Sequence, residues 1–157
     1  MPFPLTLTPV GDNMIRAERA FAAPPVKVWR ALSEPDLIRQ WQGTPEFPLT
    51  SVRMDFRVGG TWRYVWDAGE GGDVVAFGSY LEIVAPTRIV HTEAFEVDWT
   101  DGPATLTTTL GASEAGTRMV IDMVYSGSKG RDMALNSGGM EATMGANYTQ
   151  LEALLAE

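Results

Sequence analysis

Between residues 129 and 155 the apolar side chains Met133, Met140, Met144, Tyr148, Leu151 and Leu155 recur at intervals of three, four and seven. That spacing gathers them on one face of an α-helix. It predicts one long helix over Lys129–Leu155, which at ~1.5 Å per residue runs ~40 Å. Gly138, Gly139 and Gly145 interrupt it, each costing ~1 kcal/mol relative to Ala, so a bend or a looser first half is expected. Ala134, Gly138 and Gly145 fall on a side away from the methionines, where small residues would admit a second subunit. A homodimer is the partner that this side suggests.

Upstream the pattern is different. Residues 1–13, with Pro2, Pro4, Pro9 and Gly11, read as an extended arm that could hold a short edge strand. Met14–Ala22 alternates as a first strand, with Ile15, Ala17, Arg19 and Phe21 on one face. Pro25 at a first helical position opens a short helix carrying Val28, Trp29 and Leu32. Ser33 is placed to cap a second one carrying Leu37, Ile38 and Trp41, which ends before Gly43 and Pro45. Six strands follow: Val52–Phe56, Trp62–Trp66, Val74–Val84, Arg88–Val97, Ala104–Leu110 and Thr117–Tyr125, separated by Gly- and Pro-rich turns. Consecutive strands with segregated helices predict an α+β fold with a seven-stranded antiparallel sheet. Such a sheet buries one face, and the C-terminal helix is the element long enough to cover it.

Several of these segments form a family signature. Ala23-Pro24-Pro25, Val28-Trp29, Ala31-Leu32-Ser33, Pro35 and Trp41 resemble the opening of the Hsp90 ATPase activator homologue family, in the START-like (SRPBCC) superfamily. Asp55-x-Arg57-x-Gly59-Gly60-x-Trp62 is similar to its second signature. Gly78-x-Tyr80-x-Glu82-Ile83 and Thr92-Glu93-x-Phe95 resemble its middle strands. Arg131-Asp132 and Ser137-Gly138-Gly139-Met140-Glu141 resemble the stretch that opens its last helix. The resemblance implies a helix-grip fold, in which a curved seven-stranded sheet wraps a long C-terminal helix and encloses a cavity. The superfamily spans lipid carriers, hormone-binding plant proteins and aromatase/cyclase-type enzymes, so fold alone does not choose among functions.

Composition narrows the classes. At 157 residues the chain is read as one domain. Twelve Lys plus Arg against 20 Asp plus Glu give a net charge of −8, which opposes binding to nucleic acid or anionic lipid. No apolar run approaches the ~18 residues of a membrane span, and no leader pattern opens the sequence, so a cytoplasmic protein is expected. Without cysteine and with one histidine, no metal site is expected. No nucleophile elbow or phosphate loop is present, and no cofactor is expected.

Five Trp and eight Met suit irregular apolar space such as a ligand cavity. Trp62, Tyr64 and Trp66 share one face of a strand, and Met119, Met123 and Tyr125 share another. With Phe77, Met133, Met140 and Met144 they are the expected apolar wall, and Trp41 and Phe47 are expected at the entrance. His91, Glu93 and Phe95 alternate on one strand face. If that face points inward, burial would raise the Glu93 pKa and lower that of His91. The expected function is binding of a small hydrophobic or aromatic molecule, with His91, Glu93, Tyr64 and Tyr125 as polar contacts. One alternative is a cyclase- or hydrolase-type enzyme using His91 and Glu93 as an acid–base pair. Another is a co-chaperone-like protein-interaction module.

Overall fold

The structure, a computed structural model, describes residues 3–137 and 139–157. Pro2 of the predicted arm and Gly138 of the predicted helix therefore lie outside the described residues. The chain forms one antiparallel sheet of eight strands: β1 (Thr6–Val10), β2 (Met14–Phe21), β3 (Leu49–Met54), β4 (Thr61–Asp67), β5 (Asp73–Val84), β6 (Arg88–Phe95), β7 (Ala104–Ser113) and β8 (Gly116–Val124). Their spatial order is β1-β2-β8-β7-β6-β5-β4-β3. Helices α1 (Pro25–Ser33) and α2 (Pro35–Trp41) connect β2 to β3, while α3 (Ser128–Leu135) and α4 (Met140–Leu155) follow the sheet.

The antiparallel α+β architecture and the seven expected strands are present, and the helix-grip arrangement follows from them. The eighth strand is β1, in which the proline-rich arm pairs with β2 from Thr6↔Glu18 to Val10↔Met14. Pro9 is tolerated there because β1 is an edge strand.

Alternation in the sequence maps directly onto burial. β2 buries Ile15, Ala17, Arg19 and Phe21 and leaves the intervening residues partly open. β7 and β8 do the same with Ala104, Leu106, Thr108 and Leu110, and with Thr117, Met119, Ile121 and Met123. These inner faces meet α4 through Tyr148, Leu151 and Leu155. Arg19 is the polar exception. It is only 3% exposed and pairs with Glu152 of α4 at 3.2 Å, while its guanidinium lies 4.7 Å from the Phe21 ring centroid. Paired and stacked in this way, a buried guanidinium is tolerated.

Two features of the helices differ from expectation. Ser33 does not cap α2. Its hydroxyl donates back to the Trp29 carbonyl at 2.8 Å, and Glu34 takes the capping position with extended backbone. The long C-terminal helix is two helices, divided at Asn136–Gly139. Asn, Ser and two Gly in series are poor helix formers, and Ser137 serves both sides of the break. Its hydroxyl donates to the Ala134 carbonyl at 3.0 Å and accepts from the Gly139 and Met140 amides at 3.4 Å.

The break also changes which face of α3 is buried. Gly130 packs against the Thr100 backbone so closely that a Cβ would lie 2.0 Å from the Thr100 oxygen. Ala134, one turn later, is fully buried. The small residue at 134 therefore faces inward and offers no surface for a second subunit.

Candidate functional site

A cavity of about 570 Å³ lies between the inner face of β4–β8 and the helices α2 and α4. Its first wall is β4, where Trp62, Tyr64 and Trp66 project inward on alternate positions. The Trp62 and Tyr64 ring centroids are 4.9 Å apart, and those of Tyr64 and Trp66 are 5.9 Å apart. Room for these rings comes from β5, which sets Gly78 opposite Trp62 and Ala76 opposite Tyr64. A Cβ at residue 78 would lie 1.8 Å from the Thr92 oxygen and 2.8 Å from the Trp62 indole nitrogen. That nitrogen donates to the Thr92 carbonyl at 3.1 Å, so the glycine and the indole are fitted to each other.

Strand β6 contributes His91, Glu93 and Phe95, with Trp99 beyond it packing on Phe95 at 5.3 Å. β8 and its continuation contribute Met123 and Tyr125, and α4 contributes Met140, Met144 and Tyr148. Phe47 lies at the rim and is 45% exposed. Trp41 also lines the cavity but is buried rather than placed at the entrance. Its indole donates to the Ala31 carbonyl at 2.8 Å and its ring stacks on Tyr148 at 5.9 Å.

Twelve of the fifteen residues expected at the site thus line one cavity. Phe77, Met119 and Met133 do not. Phe77 is 41% exposed on the outer face of β5, because inward positions there must be small enough to accept the β4 rings. Met133 is 42% exposed, since α3 buries Gly130 and Ala134 instead. Met119 points inward but sits in the packed core beside Leu110 and Arg19.

Tyr80, Gln42, Thr100, Thr108 and Asn147 line the cavity without having been expected there. The signal for Tyr80 was its alternation with Ala76 and Gly78. Gln42 and Thr100 lie outside helices and strands, Thr108 on a threonine-rich strand whose inward face carries no distinctive chemistry, and Asn147 on α4 beside the apolar stripe. Tyr148, expected as a core anchor only, both packs edge-on against Phe21 at 6.0 Å and reaches the cavity.

Burial governs the titratable groups. It pushes the Glu93 carboxyl up to about 7 and the His91 imidazole down to about 4, because each loses the solvation of its charged form. The His91 ring stands edge-on to Trp62 at 5.6 Å, and its Nδ1 has no hydrogen-bond partner among the described residues. Tyr64, Tyr80, Tyr125 and Tyr148 are all raised above the usual phenol range, mainly by burial. The charge of Glu93 adds to the effect at Tyr64, Tyr125 and Tyr148, which line the cavity with it. A carboxyl poised near neutrality and a neutral imidazole on one strand face can accept or donate hydrogen bonds, or exchange a proton with a guest. No group of three or more metal-ligating side chains occurs among the described residues.

The family described as Activator of Hsp90 ATPase homolog 1-like protein matches residues 22–156. Among solved structures, one from Rhodobacter sphaeroides is 28% identical and covers 98% of each chain, with a TM-score of 0.90. One from Chromobacterium violaceum is 27% identical over 92% of this chain and 99% of that one, with a TM-score of 0.78. A third, from Mycobacterium smegmatis, is 23% identical over 97% of each chain, with a TM-score of 0.85, and supports the fold alone. No curated protein matches the chain.

Proposed function

The chain belongs to the Activator of Hsp90 ATPase homolog 1-like family, and from that premise we propose that it binds a small, largely apolar or aromatic molecule inside the sheet–helix cavity. The observation that carries this reading is the cavity itself. At about 570 Å³ it is far larger than the voids of a close-packed core and falls in the ~300–1,000 Å³ range of ligand pockets. Its wall is largely apolar, with aromatic, aliphatic and thioether side chains, and Glu93 and His91 are among its polar groups. No helix is long and apolar enough to cross a membrane among the described residues.

The test is titration with Nile red, a neutral apolar fluorophore. Saturable uptake with one site per chain is expected, with quenching of Trp62 and Trp66 emission. Replacing Met144 by Trp would narrow the cavity beside Met140 and weaken the uptake while the protein stays folded. Absence of uptake by the wild type would overturn the reading.

Acid–base catalysis on the bound molecule is a second reading, favoured by a carboxyl held near 7 beside a neutral imidazole. It requires that replacing His91 abolish turnover of a bound compound without weakening its affinity. Equal loss of both would reduce His91 to a binding contact.

A further inference from the structure

The polar lining of the cavity is unbalanced in charge. Glu93 is its only acid, and among the described residues neither Lys nor Arg lines it. Glu93 takes part in none of the ion pairs of the described residues. Arg19, whose charge reaches Tyr148, is already committed to Glu152 and to the carbonyls of Ala20 and Tyr148.

The rings of Tyr64, Tyr125 and Tyr148 line the same cavity as this carboxyl, and Tyr64 is itself flanked by Trp62 and Trp66. Aromatic faces and a carboxylate both attract an organic cation, and most strongly where water is excluded. A fatty acid or other anion would meet the same groups with no cationic side chain to receive it.

Resting on the cavity-binding reading above, we propose that the guest is a hydrophobic amine. Its apolar body lies between the Trp62–Trp66 wall and Met140–Met144, and its ammonium sits on the Glu93 carboxylate.

The ionisation of Glu93 gives this arrangement a signature. Its carboxyl titrates at about 7 in the free protein, and an ammonium beside it favours the charged form. Affinity for an amine therefore rises with pH through that value. The titratable groups that share the cavity with Glu93 are Tyr64 from β4, Tyr80 from β5, His91 on its own strand, Tyr125 following β8 and Tyr148 from α4, with Arg19 of β2 bonded to the Tyr148 carbonyl. The phenols are raised and His91 is neutral above about 4. Among these groups Glu93 alone changes charge near neutrality.

Three naphthalenes of nearly equal shape test the proposal: naphthylmethylamine, naphthylmethanol and naphthoic acid, each titrated calorimetrically into the wild type and Glu93→Gln. The amine should bind at least about tenfold more tightly than the alcohol, and the acid most weakly. Glu93→Gln should bring the amine to the level that the alcohol shows in the same variant and abolish the pH dependence. An alcohol that binds as well as the amine, or an acid that binds best, overturns the amine proposal and leaves the cavity reading standing. Should Glu93→Gln fail to fold, the wild-type ligand series and its pH dependence decide the question alone. Failure of all three compounds together with Nile red would sink both readings.

Discussion

Glu93 and His91 displace each other's effect on stability, and separating them is the sharpest test of the site's electrostatics. The carboxyl moves from an ordinary 4.5 to about 7. The native state therefore holds a proton that the unfolded chain releases, and stability falls as pH rises from about 4.5 to 7. The imidazole moves from 6.5 to about 4. The native state then lacks a proton that the unfolded chain holds, so stability falls as pH drops from about 6.5 to 4. At ~1.36 kcal/mol per pH unit each displacement is worth about 3 kcal/mol, in opposite directions over overlapping windows. In the wild type the two nearly cancel.

Single substitutions expose them. Relative to wild type, Glu93→Gln should be neutral at about pH 4 and more stable by up to ~3 kcal/mol at about pH 8. His91→Asn should show the reverse, stabilising by a similar amount at about pH 4 and having little effect at about pH 8. Urea denaturation across that range, read as the difference from wild type, removes the contribution of every other carboxylate. Differences that do not vary with pH in either variant would refute the inward, desolvated placement of both groups.

Other substitutions probe the frame. Gly78→Ala should cost ~3 kcal/mol or more, or prevent folding, because its Cβ meets the Thr92 carbonyl at 1.8 Å; thermal melting or the loss of soluble protein reports it. Glu152→Gln should cost ~2 kcal/mol by denaturant titration, since it weakens the partner of the buried Arg19 guanidinium. Phe77→Thr should change stability by less than ~0.5–1 kcal/mol and leave Nile red affinity unchanged, since the ring lies on the outer face. A loss of dye affinity in that variant would place Phe77 in the wall after all.

The strand pattern was legible because alternation and burial share a period of two. The alternating faces of β2, β4, β6 and β8 could be read from it, but alternation alone left open whether the face of His91 and Glu93 points inward. β5 was not legible for a physical reason. Opposite Trp62 and Tyr64 its inner positions hold Gly78 and Ala76, while the bulky Phe77 between them occupies the outer face. Hydrophobicity alone inverts such a strand; only knowing which strand pairs with it reveals that small residues complement large ones.

The C-terminal stripe failed at Met133 for a different reason. A helical period predicts a common face only while the helix is unbroken, and the turn at Ser137 resets its phase. Trp41 was read from its neighbours, Gly43 and Pro45, as belonging to a rim. Its indole instead bonds back to α1, which draws the ring inside.

One polar feature of α4 bears on how a molecule gets in and out. Asn147 accepts from the Gly43 amide at 3.1 Å and donates to Gln42 at 3.1 Å. Gln150 donates to the carbonyls of Trp41 and Gly43 at 2.9 and 2.6 Å. These bonds rivet the middle of α4 to the segment that leads into β3. The cavity therefore cannot open on that side without breaking four hydrogen bonds together. Toward its N-terminus the helix meets the cavity through Met140 and Met144, whose thioether chains repack without breaking any such bond. The methionine end is therefore the less tethered side of the cavity among the described residues. In hydrogen exchange the Gly43 amide should outlast those of the first turn of α4, and ligand should slow the latter most.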